Sequence, residues 1–391
     1  MLVLISCILF YNFCSSAGES KLISAHLICR HGSRYPYNAI PTDQNNNNYI
    51  AENAEKLSIN GMREAYNQGN FFREYYSKKI NITPETIFVK SSFKERVLKS
   101  TQVLVAGIFQ PKEAERINKD IPWMPLPIDI LSIEHDYYIY GVSDKVCPAL
   151  YNTVADIYDS KQFRLLIEKE KKDVEHICDL AGYNGTSTNN KQFIKCVYSI
   201  ADYIYASVSE GIQMPSWLTK VNQDVIINSR HKLNMEFFMN SNLTFLCKGG
   251  GPFLNLIVNL LKKATTTDQQ SLYVYGVHGS TLSGFYGNLK IPAGRPPFGE
   301  CAIIELQKEN DEYFLKFFTK SYDSHAFKNL EIPGCIKSCT FEKFKNATHN
   351  LVNSNPSKSC AAETYRSDES QVRHMLMQFT GLSEYDEIDI T

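Results

Sequence analysis

The sequence predicts an α/β fold: a central, mostly parallel sheet flanked by helices, with a helical cap domain inserted into the chain. Short apolar runs rich in β-forming residues alternate with helical patterns before residue 124 and after residue 251. The segment between them contains helical patterns such as KQFRLLIEKEKKDVEHICDLAG and no clear buried strand. We therefore expect an α/β core formed by residues 18–124 and 251–360, and a mainly helical cap formed by residues 125–250.

The first half of the predicted core contains two strand–helix pairs. KLISAHLIC, residues 21–29, predicts a buried strand, and SINGMREAYNQGNFFREYYSKKI, residues 58–80, has apolar side chains at helical spacing. ETIFVKSS, residues 85–92, predicts the second strand, and FKERVLKSTQVLVAGIF, residues 93–109, predicts the helix that follows it. The Asn-rich DQNNNNYI, residues 43–50, is expected to be a solvated loop.

The second half of the predicted core ends in a hairpin. GPFLNLIVNLLKKA, residues 251–264, predicts a helix, and SLYVYGV, residues 271–277, predicts the strand after it. CAIIELQ and YFLKFFT flank the polar KENDE, residues 308–312, which indicates two antiparallel strands joined by a turn. The alternation of strands and helices favours a sheet that is mostly parallel at its centre.

The two ends of the chain are expected to lie outside this core. MLVLISCILFYNFCSSAGES has an apolar run followed by small residues, typical of a secretory signal over residues 1–17, with a buried strand or an anchor as the alternative. Residues 361–391 are mostly polar and are expected to form a mobile tail. No later stretch approaches the roughly 18 to 20 apolar residues of a membrane span.

Composition bounds the classes of partner. The chain has 391 residues, 43% of them apolar, and a formal net charge of −1. A nearly neutral protein has no general affinity for nucleic acid or for an anionic membrane surface, so we expect neither as a partner. A basic cluster in such a chain is therefore a local feature.

The cysteines and sequons indicate a secreted protein or one of the lysosomal or vacuolar lumen. Nine of the 11 cysteines follow the expected signal, and none has C-x-x-C spacing, so a disulfide framework is favoured over a zinc site. The odd count leaves one thiol, for which Cys29 at the end of a buried strand is the candidate. Four N-x-T triplets offer glycosylation sites, at Asn81, Asn184, Asn242 and Asn346.

Basic side chains follow three of the predicted strands. Arg30, His31 and Arg34 come directly after the first strand, Arg96 lies early in the helix after the second, and His278 follows the third. Ligands of open α/β sheets bind outside the carboxyl ends of the strands. The sequence therefore predicts an anion site at this edge, and phosphate suits it best because arginine forks bind its oxygens in pairs.

Two histidines in such a site point to chemistry as well as binding. A neutral imidazole can attack phosphorus and form a covalent phosphohistidine. The charges of Arg30 and Arg34 should lower the pKa of His31, so that it stays unprotonated in acid. His26, within the strand, is expected to be a core residue instead.

RHGSRYP matches the pattern R-H-G-x-R-x-P, and the chain resembles the histidine acid phosphatase family, in its prostatic and lysosomal branch of the histidine phosphatase superfamily. Further segments occur in the family's order: IPTD, IFVKSSFKERVLKS, VCPAL, MPSWL, KGGGPFLNLI, GRPPFGECAIIEL and IPGCIKSCTFEKF. The resemblance implies an acid phosphatase with two domains, acting on small phosphate monoesters or phosphorylated side chains. It implies no cofactor and no metal, and it is compatible with a homodimer.

The resemblance also assigns roles to individual residues. It makes His31 the nucleophile, His278 the second catalytic and phosphate-binding histidine, and Arg30, Arg34 and Arg96 the phosphate ligands. It implies three disulfides and leaves a fourth pair particular to this chain. These pairs are Cys147 with Cys360, Cys196 with Cys301, Cys335 with Cys339, and Cys178 with Cys247 as the remaining pair.

The chain departs from the family at its proton donor. Family members carry H-D after the third strand, or H-A-E in the inositol-phosphate branch, whereas VHGSTLSG places Gly279 there. Ser33 replaces an acidic residue of the signature, and KSSF, with Lys90 and Phe93, replaces R-S-T-D. The donor would then be water or a carboxylate from another segment, with Asp43, Asp129, Glu134 and Asp136 as candidates.

Three interpretations therefore stay open. The first is an acid phosphatase that uses His31. The second is a phosphoester-binding pseudo-phosphatase with little or no turnover. The third is an inositol-phosphate phosphatase, which should carry extra lysines in the cap; KEKK, residues 169–172, is the one such run and is typical of a solvated helix face.

Overall fold

The computed structural model describes residues 20–141, 146–292, 294–336 and 338–361. The signal segment expected over residues 1–17 lies outside these ranges. So does the tail expected over residues 361–391, apart from Ala361.

The described strands form one mixed sheet. They are β1 (Lys21–Arg30), β2 (Ile87–Ser91), β3 (Ile128–Ile130), β4 (Ser271–Val277), β5 (Cys301–Glu309), β6 (Glu312–Lys320), β7 (Lys328–Asn329) and β8 (Cys339–Thr340). Their order is β3-β2-β4-β1-β5-β6-β7, and β8 pairs with β6. The strands from β3 to β1 are parallel, and β5 and β6 form the predicted antiparallel hairpin. The predicted fold class, a mostly parallel central sheet flanked by helices, is confirmed.

The helices surround this sheet. Those in the described residues are α1 (Asn47–Asn53), α2 (Ile59–Tyr76), α3 (Glu95–Ile108), α4 (Pro148–Asp159), α5 (Lys161–Leu180), α6 (Asn190–Glu210), α7 (Lys220–Phe238), α8 (Ser241–Leu246), α9 (Gly251–Thr267), α10 (Gly279–Asn288), α11 (Phe341–Thr348) and α12 (Pro356–Cys360), with a 3-10 turn at Glu113–Glu115. Among the residues described, no helix is both long and apolar enough to cross a bilayer.

Strand β1 lies at the centre of the sheet, and its side chains are buried on both faces from Leu22 to Arg30. One apolar cluster joins a face of the sheet to α2 and α3, through residues such as Phe72 and Leu104. A second joins the other face to α9 and α10, through residues such as Phe253 and Phe285. A third, separate cluster lies among α4 to α8.

Two elements differ from the sequence prediction. Strand β3 pairs with β2 although it lies in the segment 125–250, where no strand was expected. It is short and its side chains are half or fully exposed, so it carries no apolar pattern. Helix α1 begins in the Asn-rich segment expected to be a loop, and its Ile50 is fully buried.

The cysteine pairing is partly as the resemblance implies. Cys147 bonds to Cys360, and Cys335 bonds to Cys339. The other expectations are wrong: the remaining pairs are Cys29–Cys301 and Cys178–Cys196, and the free thiol is the buried Cys247.

Strand register is the reason for the first of these corrections. The antiparallel pairing of β1 with β5 sets Cys29 directly opposite Cys301, with a Cα–Cα distance of 4.0 Å. The two cysteines therefore face each other on neighbouring strands, where they form a disulfide. Cys29 is therefore a bonded cysteine, although it was the candidate for the free thiol.

Candidate active site

The parallel pairing of β1 with β4 brings the two candidate catalytic histidines together. Arg30 is paired with Val277 at the carboxyl ends of these strands, so His31 and His278 leave the sheet side by side. Their ring centroids are 6.1 Å apart, with the rings edge to face. Arg96, the second residue of α3, has its charge close enough to lower the pKa of both histidines.

The surroundings of His31 fix its tautomer. Its Nδ1 lies 2.9 Å from the carbonyl oxygen of Gly32, and a carbonyl can only accept, so Nδ1 carries the proton. The lone pair is then on Nε2. Burial lowers the pKa of His31 well below its ordinary value, and the charges of Arg30, Arg96 and Arg34 lower it further. Both effects favour the neutral ring over the protonated one.

Polar contacts with α2 and α3 hold the loop that carries His31 in place. The backbone N–H of Gly32 donates to Ser100 Oγ at 3.0 Å. Ser33 donates to the carboxylate of Glu64 through both its N–H, at 2.9 Å, and its hydroxyl, at 2.8 Å. Ser33, which replaces the family's acidic residue, thus anchors the loop to a carboxylate on α2.

Arg30 is a buried guanidinium held by an aromatic ring. Its Cζ lies 4.1 Å from the centre of the Phe298 ring, and its Nη1 donates to the carbonyl of Pro296. Its Nε is buried without a hydrogen-bond partner. Burial lowers the pKa of Arg30, and the nearby charges of Arg295 and Arg34 lower it further. An anion bound here would be strongly favoured.

Arg34 is positioned by a carboxylate that sequence reasoning missed. It forms a fork with Asp202 of α6, through bonds of 2.6 and 3.2 Å, and its Cζ lies 3.9 Å over the Tyr37 ring. Asp202 also accepts from Arg295 at 3.2 Å. These cations hold the pKa of Asp202 far below its ordinary value, against the effect of its burial.

Arg96, like Arg34, is bonded to a carboxylate and contacts Tyr37. Its Nη1 donates to Glu55 at 2.8 Å and its Nη2 donates to the Tyr37 hydroxyl at 2.9 Å. The Nε atoms of Arg34 and Arg96 and the Nη1 of Arg295 are buried without partners. The site thus contains several guanidinium groups and two carboxylates that bond to them, an excess of positive charge suited to an anion.

His278 is held between a hydroxyl and an aromatic ring. Its Nε2 is 2.9 Å from Ser92 Oγ, and its ring lies edge to face with Tyr140 at 5.5 Å. Burial lowers the pKa of His278 well below its ordinary value. The charges of Lys248, Arg96, His31 and Lys94, in that order, lower it further.

Gly279 begins α10 directly against Arg30. A Cβ atom at this position would lie 3.0 Å from Arg30 Nε and 3.1 Å from its Cζ. The position therefore has no room for a side chain unless the guanidinium moves.

The carboxylates expected as alternative donors have other partners. Asp43 bonds to Asn46 and to the Tyr203 hydroxyl, and Asp136 accepts from the backbone N–H groups of residues 138–140. Asp129 pairs with Lys90. Glu134 is exposed. No hydrogen bond within the described ranges joins a carboxylate to His31 or His278.

Two of the missed residues had a signal in the sequence. Arg295 lies in GRPPFG and Lys248 lies in KGGG, and each is the basic residue of a segment that matches the family's order. Asp202 and Tyr37 had no comparable signal, since nothing in their local sequence distinguishes them. Asp202 reaches Arg34 only through the packing of α6, whereas Tyr37 lies three residues after Arg34 along the chain.

Comparison with known proteins agrees with this geometry. Residues 21–320 match the model of the histidine phosphatase superfamily (branch 2). The prostatic acid phosphatase of Homo sapiens is 25% identical over 362 residues, covering 90% of this chain and 91% of that protein. The lysosomal acid phosphatase of Rattus norvegicus is 22% identical over 340 residues, covering 85% and 79%.

Solved structures share the fold. A Klebsiella sp. ASR1 phytase aligns with a TM-score of 0.61 and 14% identity, covering 89% of this chain and 97% of that one. A Hafnia alvei phytase aligns with a TM-score of 0.58, covering 88% and 98%. The extent of the family match, together with the paired histidines and arginines at the ends of β1 and β4, leads to one conclusion: the chain belongs to the histidine phosphatase superfamily, branch 2.

Proposed function

We propose that this protein is an acid phosphatase that hydrolyses phosphate monoesters through a phosphohistidine on His31. The observation that carries the proposal is the bond from His31 Nδ1 to the Gly32 carbonyl, inside a cluster of buried arginines. The bond leaves the lone pair of the neutral ring on Nε2, and burial among arginines favours that neutral form. The similar proteins named prostatic and lysosomal acid phosphatase support the same activity.

The reaction divides into two displacements. In the first, His31 Nε2 attacks phosphorus and the ester oxygen leaves, while Arg30, Arg34 and Arg96 neutralise charge on the phosphoryl oxygens. His278 donates a hydrogen bond to an oxygen of the same group. In the second, water attacks the phosphohistidine and releases phosphate. The guanidinium N–H groups without partners are available for these contacts.

Trapping of the intermediate tests this mechanism. The protein is mixed with a radiolabelled aryl phosphate near pH 5, quenched in alkaline detergent, and the label on the protein is counted. We expect label that is stable to base and released by acid, and none on His31→Ala. The matched control is His135→Ala, an exposed histidine bonded to Ser132. Retention of label or of turnover by His31→Ala would contradict the proposal.

A pseudo-phosphatase is the second candidate, and Gly279 is the observation that favours it. The position has no carboxylate, and Arg30 occupies the space that a side chain would need. Such a protein would bind phosphate and be stabilised by it, yet would give neither turnover nor labelled His31. Phosphate binding without hydrolysis of even an aryl ester would favour this candidate over the first.

The proposed substrates are small phosphate monoesters or phosphorylated side chains, and the proposed location is the extracellular space or the lumen of a lysosome or vacuole. Four disulfides among the described residues support an oxidising compartment. The four sequon asparagines are all exposed, as glycosylation requires: Asn81, Asn184, Asn242 and Asn346. Loss of mass on treatment of secreted protein with an N-glycosidase tests this assignment.

A further inference from the structure

We propose that Lys248 is the acid of this site, and that its ammonium group protonates the leaving-group oxygen in place of a carboxylate after His278. The inference rests on the proposed phosphatase function and names the component that Gly279 does not provide. It follows from where the chain fixes Lys248 and from the charges around it.

The backbone directly after Lys248 packs against α10, the helix that begins after His278. Gly249 has φ of +73°, and a Cβ there would lie 1.9 Å from the carbonyl oxygen of Thr281, in the first turn of α10. Its N–H donates to the backbone carbonyl oxygen of Tyr138 at 2.8 Å, and Thr281 Oγ1 donates to the backbone carbonyl oxygen of Ile139 at 2.8 Å. Only glycine allows this approach, so Lys248 is held at a fixed place beside the start of α10.

The side chain of Lys248 then extends along the ring of Tyr140. Its ammonium lies 5.3 Å from the ring centre, and that ring is 5.5 Å from the ring of His278. A Cβ at Gly141 would lie 3.2 Å from the stem of Lys248, so glycine there gives the stem its space. Lys248 is 5% exposed, and its amine is thus held inside the protein and not at its surface.

The charge of Lys248 acts on the histidine that lies on the other side of Tyr140. Among charged groups, Lys248 has the largest lowering effect on the pKa of His278, ahead of Arg96. Burial lowers the pKa of Lys248 itself to about 7. Arg96 and Lys94 lower it as well, whereas Cys247 and Asp136 raise it. Near pH 5 the ammonium is therefore charged, yet gives up its proton far more readily than an ordinary lysine does.

The proton that Lys248 gives up in the first step is returned to it in the second, so no further reactant is needed. When His31 Nε2 bonds to phosphorus, the bond to the ester oxygen breaks, and that oxygen takes a proton from Lys248 and leaves as an alcohol. Lys248 is then a neutral amine. In the second step water attacks the phosphohistidine, its proton returns to Lys248, and the P–N bond breaks to release His31 and phosphate.

Comparison of leaving groups tests the assignment. An alkoxide needs a proton donor much more than a phenolate does, because phenols have a pKa near about 10. We expect Lys248→Met to lower kcat/KM for an alkyl phosphate by roughly 10²-fold or more, and to change that for an aryl phosphate little. Lys248→Arg keeps the charge but cannot release a proton, so it should show the same selective loss. In the native protein, turnover of the alkyl ester should fall above about pH 7, where Lys248 loses its proton. This decrease with rising pH should be absent in both variants.

Two further variants identify the residue responsible. Lys171→Met removes a buried lysine that bonds to Glu168 and Ser187 in another part of the fold, and should leave the alkyl-to-aryl ratio unchanged. Lys94→Met removes the second lysine near Tyr140, whose ammonium lies 5.6 Å from that ring. A selective alkyl loss in Lys94→Met but not in Lys248→Met would overturn the assignment.

The outcomes separate this inference from the proposed function. If the native protein hydrolyses both esters through His31 but Lys248→Met and Lys248→Arg keep the native ratio, Lys248 is not the acid and the phosphatase proposal stands. Aryl turnover without alkyl turnover in the native protein also overturns the inference. Native turnover in His31→Ala would contradict the proposed phosphohistidine mechanism itself. If Lys248→Met does not fold, the inference is tested by the alkyl-to-aryl ratio of Lys248→Arg and by the pH dependence of alkyl turnover in the native protein.

Discussion

The rings of His31 and His278 meet edge to face, 6.1 Å apart, because the residues before them are paired partners on neighbouring parallel strands. Burial lowers the pKa of each ring well below its ordinary value, and the surrounding cations lower it further. In the proposed mechanism His31 attacks a phosphoryl group that His278 and the guanidinium groups bind. The consequences of this arrangement can be measured.

Arg30 should govern the pH at which His31 becomes protonated. After burial, Arg30 has the largest effect in lowering the pKa of His31. In Arg30→Gln we expect that pKa to rise, so the acid limb of kcat/KM for an aryl phosphate moves to higher pH. Arg63→Gln, an exposed arginine on α2, is the control. An acid limb at the native position in Arg30→Gln would contradict this electrostatic account.

Asp202 should stabilise the unliganded protein, and bound phosphate should replace part of its effect. Asp202→Asn leaves Arg34 and Arg295 buried without their carboxylate, and breaking a buried ion pair costs about 3–5 kcal/mol. Phosphate supplies negative charge to the same guanidinium groups. We therefore expect a lower Tm without ligand, and a larger rise in Tm on adding phosphate than the native protein shows.

The control for this experiment is an exposed ion pair. Asp159→Asn breaks a pair with Arg164 in which both side chains are more than half exposed. Such pairs contribute about 0–1 kcal/mol, so Tm should change little, with or without phosphate. Equal phosphate-induced shifts in Asp202→Asn and the native protein would place the anion away from Arg34.

The sequence predicted the core of the site because that core depends on local features. The signature around His31 follows a strand that is recognisable from its apolar residues, and His278 follows another, so the rule for open sheets places both at one edge. Asp202 was not predictable, because it lies in the middle of α6 and meets Arg34 only after α6 packs against the sheet. The Cys29–Cys301 bond depends on strand register, which spacing along the chain does not contain.

Gly279→Ala should weaken phosphate binding through Arg30. The new Cβ would lie 3.0 Å from Arg30 Nε, so the guanidinium must move by a few tenths of an ångström from its place over Phe298. We expect a several-fold rise in the inhibition constant of phosphate, with Tm little changed. Ser283→Ala, one turn later on α10, is the comparison for a change in the same helix. Native phosphate inhibition in Gly279→Ala would show that Arg30 can shift without cost.

The Cys29–Cys301 bond should contribute more to stability than the Cys335–Cys339 bond. The first joins cysteines separated by 272 positions and the second by 4. In the chain-entropy model a bond that closes the longer loop is worth about 5.6 kcal/mol, against about 2 kcal/mol for the shorter loop. Replacing each pair by alanine and measuring unfolding in denaturant checks this order. Equal losses would indicate that native-state contacts, such as that of Gln68 with the Cys301 sulfur at 2.8 Å, decide the effect.

His26 should make the fold sensitive to acid. It lies in β1, stacks on Tyr273 at 4.6 Å, bonds to the Tyr275 hydroxyl at 3.1 Å, and burial lowers its pKa to about 3. Between pH 6.5 and about 3 the unfolded chain holds a proton here that the folded chain does not. The contribution of His26 alone therefore lowers stability by about 1.4 kcal/mol for each pH unit below 6.5. His26→Gln keeps a hydrogen-bonding group but does not titrate, so it should be less stable at pH 7 and lose less stability toward pH 4. Parallel stability curves for the two proteins, measured in denaturant across this range, would show that His26 is not the group responsible.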